Sequence, residues 1–210
     1  MNSILLGPDM RILIGWDNPE ECDLISLYLG VSENDLVICA TTEEFMSQAL
    51  DNNTWDIILM SIMAPDPQTA FEHFEQIRQK HLDTPLVGAC PTQGTFHVAR
   101  FLTAGMRAYI IRDEGGDFMF LLETTLQSVV DSVKAERERF VSERLREEIE
   151  SVRKLQESII PSDLVSPDRF DVTARYESSQ IRVFGGQPVT LAGGDYYDVF
   201  MLDDDNLVLL

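Results

Sequence analysis

Residues 9–130 predict an α/β fold, a doubly wound parallel sheet of five strands, and three observations carry that prediction. Five short apolar runs rich in β-branched residues recur along the stretch, each bounded by turn formers, the pattern of strands buried on both faces. Amphipathic helical patterns separate them. Five strand–helix repeats in succession imply an open sheet whose functional crevice lies at the carboxyl ends of the strands.

The strands are predicted at "RILIGW" (11–16), "LVICA" (36–40), "DIILMS" (56–61), "PLVGAC" (85–90) and "AYIIR" (108–112). The first helix, "PEECDLISLYL" (19–29), opens on Pro19 behind Asn18, a cap with proline in the first turn. "TEEFMSQAL" (42–50), "AFEHFEQIRQKH" (70–81) and "FHVARFLTAG" (96–105) follow, the last closed by Gly105. The fifth helix begins near Asp117 and does not stop: up to about Ser158 there is no proline and, after Gly116, no glycine. Leu145, Ile149, Val152 and Ile159 follow a 4-3-7 spacing, a partial a/d seam with Gln156 in the remaining place, and the register breaks down upstream around 137–142. Residues 117–159 therefore read as a helical linker, either a solvated spacer or the stalk of a parallel homodimer. A charged helix of this length gains little without a partner face, which favours the homodimer.

"IIPSDLVSPD", with Pro161 and Pro167, ends the helix and opens a third region, 160–210. It reads as β: "FDVTARY" (170–176), "IRVF" (181–184), "PVTLA" (188–192), "YYDVFML" (196–202) and "NLVLL" (206–210). Gly185-Gly186, Gly193-Gly194 and the "DDDN" of 203–206 supply the turns. Five short strands need a partner layer, so the expectation is a piece of a longer protein or packing borrowed from another chain.

The formal net charge of −20 argues against nucleic acid or an anionic membrane as partner, since both call for a positive footprint. Residues 134–154 hold seven of the sixteen Lys and Arg and are close to neutral, so the flanking segments carry the acid. Cys22, Cys39 and Cys90 are widely spaced within apolar stretches, which points to reduced thiols in a cytoplasmic protein rather than disulfides or zinc. The N-terminus lacks a basic region before its short apolar run, and no stretch approaches the ~20 apolar residues of a membrane span.

Four ordered stretches carry a resemblance over the whole of 11–130: "ILIGWDNP" (12–19), "LMSIMAPDP" (59–67), "TPLVGACP" (84–91) and "AGMRAYIIRD" (104–113). They resemble the receiver domain of response regulators, which implies a flavodoxin-like sheet. Receivers accept a phosphoryl group on an aspartate at the third strand, with Mg²⁺ held by acids, a lysine pairing with the phosphoryl oxygens and a sensing hydroxyl. Onto those places the resemblance maps Trp16 and Asp17 for the acidic pair, Ser61 for the acceptor, Cys90 for the hydroxyl and Arg112 for the lysine. Four of the five groups are changed and only Asp17 remains, so the expectation is a degenerate site, with no Mg²⁺ or other cofactor and no aspartyl phosphate. Trp16 is expected to fill the crevice mouth, Arg112 to pair with Asp17, and Asp56 to be a surface acid rather than a replacement acceptor. The helix after the fourth strand forms the usual output face of the family; Phe96, Phe101 and Met106 either populate it or belong to the core.

"LQESIIPSDL" (155–164), "TARY" (173–176) and "GGDYYDVFMLDDDNLVLL" (193–210) resemble the start of a metal-dependent PPM serine/threonine phosphatase domain of the SpoIIE/RsbU branch. The resemblance implies two Mn²⁺ or Mg²⁺ ions activating a water, with Asp195 as a metal-site acid and Asp198 as second candidate or hairpin residue. Its implied target is a phosphorylated anti-sigma-factor antagonist. Two departures limit it: the stretch from Tyr176 to Gly193 is longer than the family's, and the Asp-Gly strand and later aspartates would lie beyond Leu210. The 210-residue chain is therefore expected to be inactive as a phosphatase. A non-catalytic protein-binding adaptor is the rival reading.

Overall fold

The apolar runs form five parallel strands, β1 (Arg11–Gly15), β2 (Asp35–Cys39), β3 (Ile57–Ser61), β4 (Leu86–Pro91) and β5 (Ala108–Arg112), in the order β2-β1-β3-β4-β5. The structure, a computed structural model, describes residues 10–32, 34–161, 171–175, 180–181, 189–190, 197–203 and 205–210. The chain winds outward from β1 in both directions, so the switch point of the doubly wound sheet lies between β1 and β3. β3 is buried at all five residues, whereas the edge strands β2 and β5 are covered only in part. Central strands carry helices on both faces, which is why they read as unbroken apolar runs.

Helices α1 (Pro19–Leu29), α2 (Thr42–Leu50), α3 (Pro67–Lys80), α4 (Thr95–Thr103) and α5 (Met119–Ile159) follow the strands. Strand alternation sorts the core into two layers. Leu13, Ile58, Met60 and Cys90 pack with α2, α3 and α4, where Phe71, Phe74 and Phe101 form a ring cluster with centroids 5.1–6.1 Å apart. Ile12, Ile14, Ile57, Leu59 and Val87 face α1 and α5, against Ile25, Leu29, Leu122 and Leu126.

Capping chemistry sets the helix starts. Asn18 Oδ1 accepts the Glu20 amide at 3.1 Å, and Pro19 occupies the first turn. α3 starts at Pro67, three residues ahead of the predicted 70, because Asp66 Oδ1 accepts the amides of Gln68 and Thr69. Gly105 closes α4 with φ at 102°, and the Met106 amide returns to Phe101 O. The Thr69 hydroxyl and amide hold the Asp66 carboxyl below its usual range, and the Phe118 amide does the same for Asp113 ahead of α5. With folded values lowered, both caps persist from neutral pH into acid and are lost as pH falls through those lowered values.

The chain divides into two compact units, Met1–Ala135 and Glu136–Leu210. The 41-residue α5 belongs to both: its buried residues, Met119, Leu122, Leu126, Val130 and Val133, all lie before the boundary. Beyond it Leu145, Val152, Leu155 and Ile159 are exposed. Pairs such as Arg139–Glu143 (2.8 Å) and Arg153 with Glu150 and Glu157 (both 2.5 Å) lace that second half. No helix among the described residues is long and apolar enough to cross a membrane.

In the second unit β6 (Gln180–Ile181) pairs antiparallel with β7 (Val189–Thr190), and β8 (Val199–Met201) with β9 (Leu207–Leu209). Asp203 Oδ1 accepts from Asp205 N, Asn206 N and Asn206 Nδ2, closing the β8–β9 turn. The strand expected at 170–176 is corrected: the described residues 171–175 carry no strand. An alternating pattern becomes a strand only where a neighbour supplies a hydrogen-bond ladder, and none is paired to it among the described residues.

The two readings of the α4 aromatics also separate. Phe101 (1% exposed) and Met106 are core, whereas Phe96 is 75% exposed. Phe101→Ala is expected to lower unfolding free energy by about 3–5 kcal/mol. Phe96→Ala is expected to change it by no more than about 0.5 kcal/mol. Urea titrations followed by circular dichroism measure both, and equal losses would contradict the assignment.

Candidate functional site

The crevice is assembled by the loops that follow the strands. Trp16 comes directly after β1, its amide held by Cys39 O at 3.0 Å. The Asn18 cap then turns the chain into α1 and places Glu21 in the first turn, with Asn18 Nδ2 donating to Glu21 Oε1 at 3.0 Å. From the far edge of the sheet, Arg112 at the end of β5 extends to this loop. Its Nη1 lies 2.5 Å from Asp17 Oδ1 and its Nη2 2.9 Å from Glu21 Oε2.

Around that cation the remaining groups fall into place. The guanidinium carbon sits 4.6 Å from the Trp16 ring centroid, and Trp16 Nε1 donates to Glu21 Oε2 at 2.6 Å. Trp16 in turn stacks on Phe118, centroids 6.0 Å apart with 22° between planes. At 2% exposure it lies in the α1/α5 core layer, so the expectation that it fills the crevice mouth is corrected. A ring of that size gains more by packing under α5 than by standing in water, and its one polar atom is satisfied by Glu21.

Ser61 is the buried end of β3, 5% exposed, and its Oγ has no hydrogen-bond partner among the described residues. Cys90 is fully buried, and burial pushes its thiol upward against the opposing pull of Arg112. Cys39 is pushed up to about 11 by burial. Neither thiol is poised as a nucleophile. Trp16, Asp17 and Ser61 share one cavity of about 310 Å³ between the ends of β1 and β3 and the start of α2. Arg112 and Cys90 do not line it. Asp56 lies at the other end of β3, where its Oδ2 accepts the Arg11 amide at 2.8 Å.

Glu21 is the functional residue that reading by resemblance passed over. The signal was present: an asparagine cap followed three residues later by glutamate is the spacing of a capping box. What the spacing could not disclose is that this carboxylate would turn to a cation three strands away.

A magnesium ion does not fit these residues. It needs near-octahedral oxygen coordination, and the two carboxylates near the crevice floor, Asp17 and Glu21, are both bonded to Arg112. Among the described residues no three His, Cys, Asp or Glu side chains gather as a metal site. In the second unit Asp198 Oδ1 accepts the Val199 amide at 2.8 Å, and its backbone exchanges hydrogen bonds with Leu210. Asp195 lies outside the described residues.

No protein-family model and no curated protein matches the chain. Solved structures do. The CheY-like receiver domain protein of Methanospirillum hungatei JF-1 is 23% identical, covering 60% of this chain and 98% of that one, with a TM-score of 0.52. A receiver domain protein from Clostridium thermocellum is 12% identical over 60% of this chain and 98% of its own, TM-score 0.53. NtrX from Brucella abortus is 14% identical over 75% of this chain and 36% of its own, TM-score 0.54. At such identities the likeness is one of fold: a five-stranded parallel sheet of the receiver type.

Arg112→Met is expected to destabilise the fold by about 2 kcal/mol, since it leaves two carboxylates facing each other without their cation. A double-mutant cycle with Glu21→Gln, read by urea unfolding, should return a coupling of about 1 kcal/mol. Additive losses would mean that the contact contributes nothing of its own.

Proposed function

We propose that residues 9–130 act as a pseudo-receiver. In this reading a receiver fold binds protein partners without accepting phosphate, and the 117–159 helix joins it to the N-terminal part of a PPM/SpoIIE-type phosphatase domain in a cytoplasmic signalling protein. The observation that carries this reading is the Arg112 cation seated between Asp17 and Glu21, in the corner where receiver chemistry calls for a divalent metal. Ser61 stands where the nucleophilic carboxylate would be, and a hydroxyl cannot form an acyl phosphate. The inward indole of Trp16 removes the second acid.

Homodimerisation through the helix is the second part of the proposal. Leu145, Val152 and Ile159 present apolar surface at heptad spacing, and Gln156 falls at an a position of the same seam. A lone polar a residue is the kind that fixes register between paired helices.

The phosphatase part rests on the "GGDYYD" stretch at 193–198. In that reading Asp195 would help hold Mn²⁺ or Mg²⁺, further acids would be needed to complete the pair, and the substrate would be a phosphorylated anti-sigma-factor antagonist. The 210-residue chain would then show no turnover. The alternative is a non-catalytic adaptor, with Asp198 serving the β8–β9 hairpin.

Calorimetry with Mg²⁺, and incubation with acetyl phosphate or beryllofluoride, are expected to show neither binding nor phosphate incorporation. Ser61→Asp alone should stay refractory, because Arg112 still engages Asp17 and Glu21 and position 16 still lacks a carboxylate. Phosphate incorporation on the wild-type chain, abolished by Ser61→Ala, would defeat the reading. Light scattering should report a dimer that Ile149→Glu breaks by placing a charge in the seam; a monomer at roughly tens of micromolar would remove the stalk.

A further inference from the structure

The cavity between β1, β3 and α2 is open to a different chemistry from the one its position implies. Its volume of about 310 Å³ is at the lower end of small-molecule sites, ~300–1,000 Å³. It lies at the switch point of the sheet, where doubly wound folds bind ligands. Phe45 and Met60 give it apolar walls, and the hydroxyl of Ser61, a residue more than nine-tenths buried, makes no hydrogen bond among the described residues. An orphaned buried hydroxyl costs free energy until a ligand atom or water meets it.

The charged lining decides the ligand class. Two carboxylates, Asp17 and Glu43, border the cavity beside the imidazole of His73, and no lysine or arginine does. Asp17 has one oxygen bonded to Arg112, while Glu43 is exposed at the first turn of α2. An anion entering here meets like charge. A cationic group gains from both carboxylates while its apolar body lies against Phe45 and Met60.

We infer that this cavity binds a small organic amine, a molecule with an apolar body and a single ammonium head. The inference builds on the reading of the crevice as closed to metal and phosphoryl groups. The loss of the phosphoryl site leaves a cavity that still has a buried hydroxyl and a negative rim. Occupancy would bear on β1, β3 and the start of α2 together, giving the pseudo-receiver an input that needs no kinase.

The test uses the 210-residue chain and two probes of nearly equal shape and opposite charge, phenethylamine and 3-phenylpropionate, followed by calorimetry and ligand-detected NMR. The amine is expected to bind saturably and the carboxylate at least about tenfold more weakly. Glu43→Gln should weaken the amine about fivefold, the effect of one solvent-screened charge at contact distance. Ala40→Phe, at an exposed position on the rim, should abolish binding by filling the space; if that variant misfolds by circular dichroism, Glu43→Gln carries the comparison. No saturable binding of the amine at millimolar concentration, equal binding of both probes, or amine binding indifferent to Glu43→Gln and Ala40→Phe overturns the inference. Parallel titration with Mg²⁺ and beryllofluoride separates the two readings, because binding of those ions would defeat the pseudo-receiver reading and leave the amine result standing.

Discussion

One guanidinium held between two carboxylates organises the top of the first unit. Arg112 brings the end of β5 to the loop after β1, and Asp17 and Glu21 hold it there through bonds of 2.5 and 2.9 Å. Its side chain is only 12% exposed, so water does little of the solvation and the carboxylates must supply it. Glu21 meets that demand while also accepting from Trp16 Nε1 and Asn18 Nδ2. A network in which each member satisfies another is rigid, because displacing any one leaves a buried polar group unmet.

The cluster reaches the start of the long helix through a ring contact. Trp16 stacks on Phe118, and the Phe118 amide caps onto Asp113 just ahead of α5. The start of the helix is thereby fixed to the loop that carries Trp16 and Asp17. Two logics then share one 41-residue element: buried residues three and four apart up to Val133, and a heptad seam without such cover from Leu145 onward. The first half covers the sheet, and the second carries its apolar residues exposed.

Much of the fold was legible in the residues. Five β-branched apolar runs bounded by turn formers read as strands of a covered sheet, and the Asn18-Pro19 and Gly105 signals placed helix ends because caps are local chemistry. Local reading went astray where a cap was overlooked, as with Asp66 ahead of α3, and where a strand needed a neighbour, as at 171–175. The side chains at 16, 61, 90 and 112, the places the receiver resemblance singles out, were equally plain, since they depend only on residue identity.

By itself, then, the sequence determined which side chains stand at the strand ends, and in what order the elements run. Only the tertiary structure decided which groups those side chains meet. Glu21 lies ninety-one residues from Arg112, Trp16 turns inward to Phe118, and Ser61 borders a cavity with Glu43 from another element. Each of these depends on side chains brought together by the parallel crossovers of the sheet. Spacing along a chain reports periodicity and caps; it does not report which distant groups a closed fold makes neighbours.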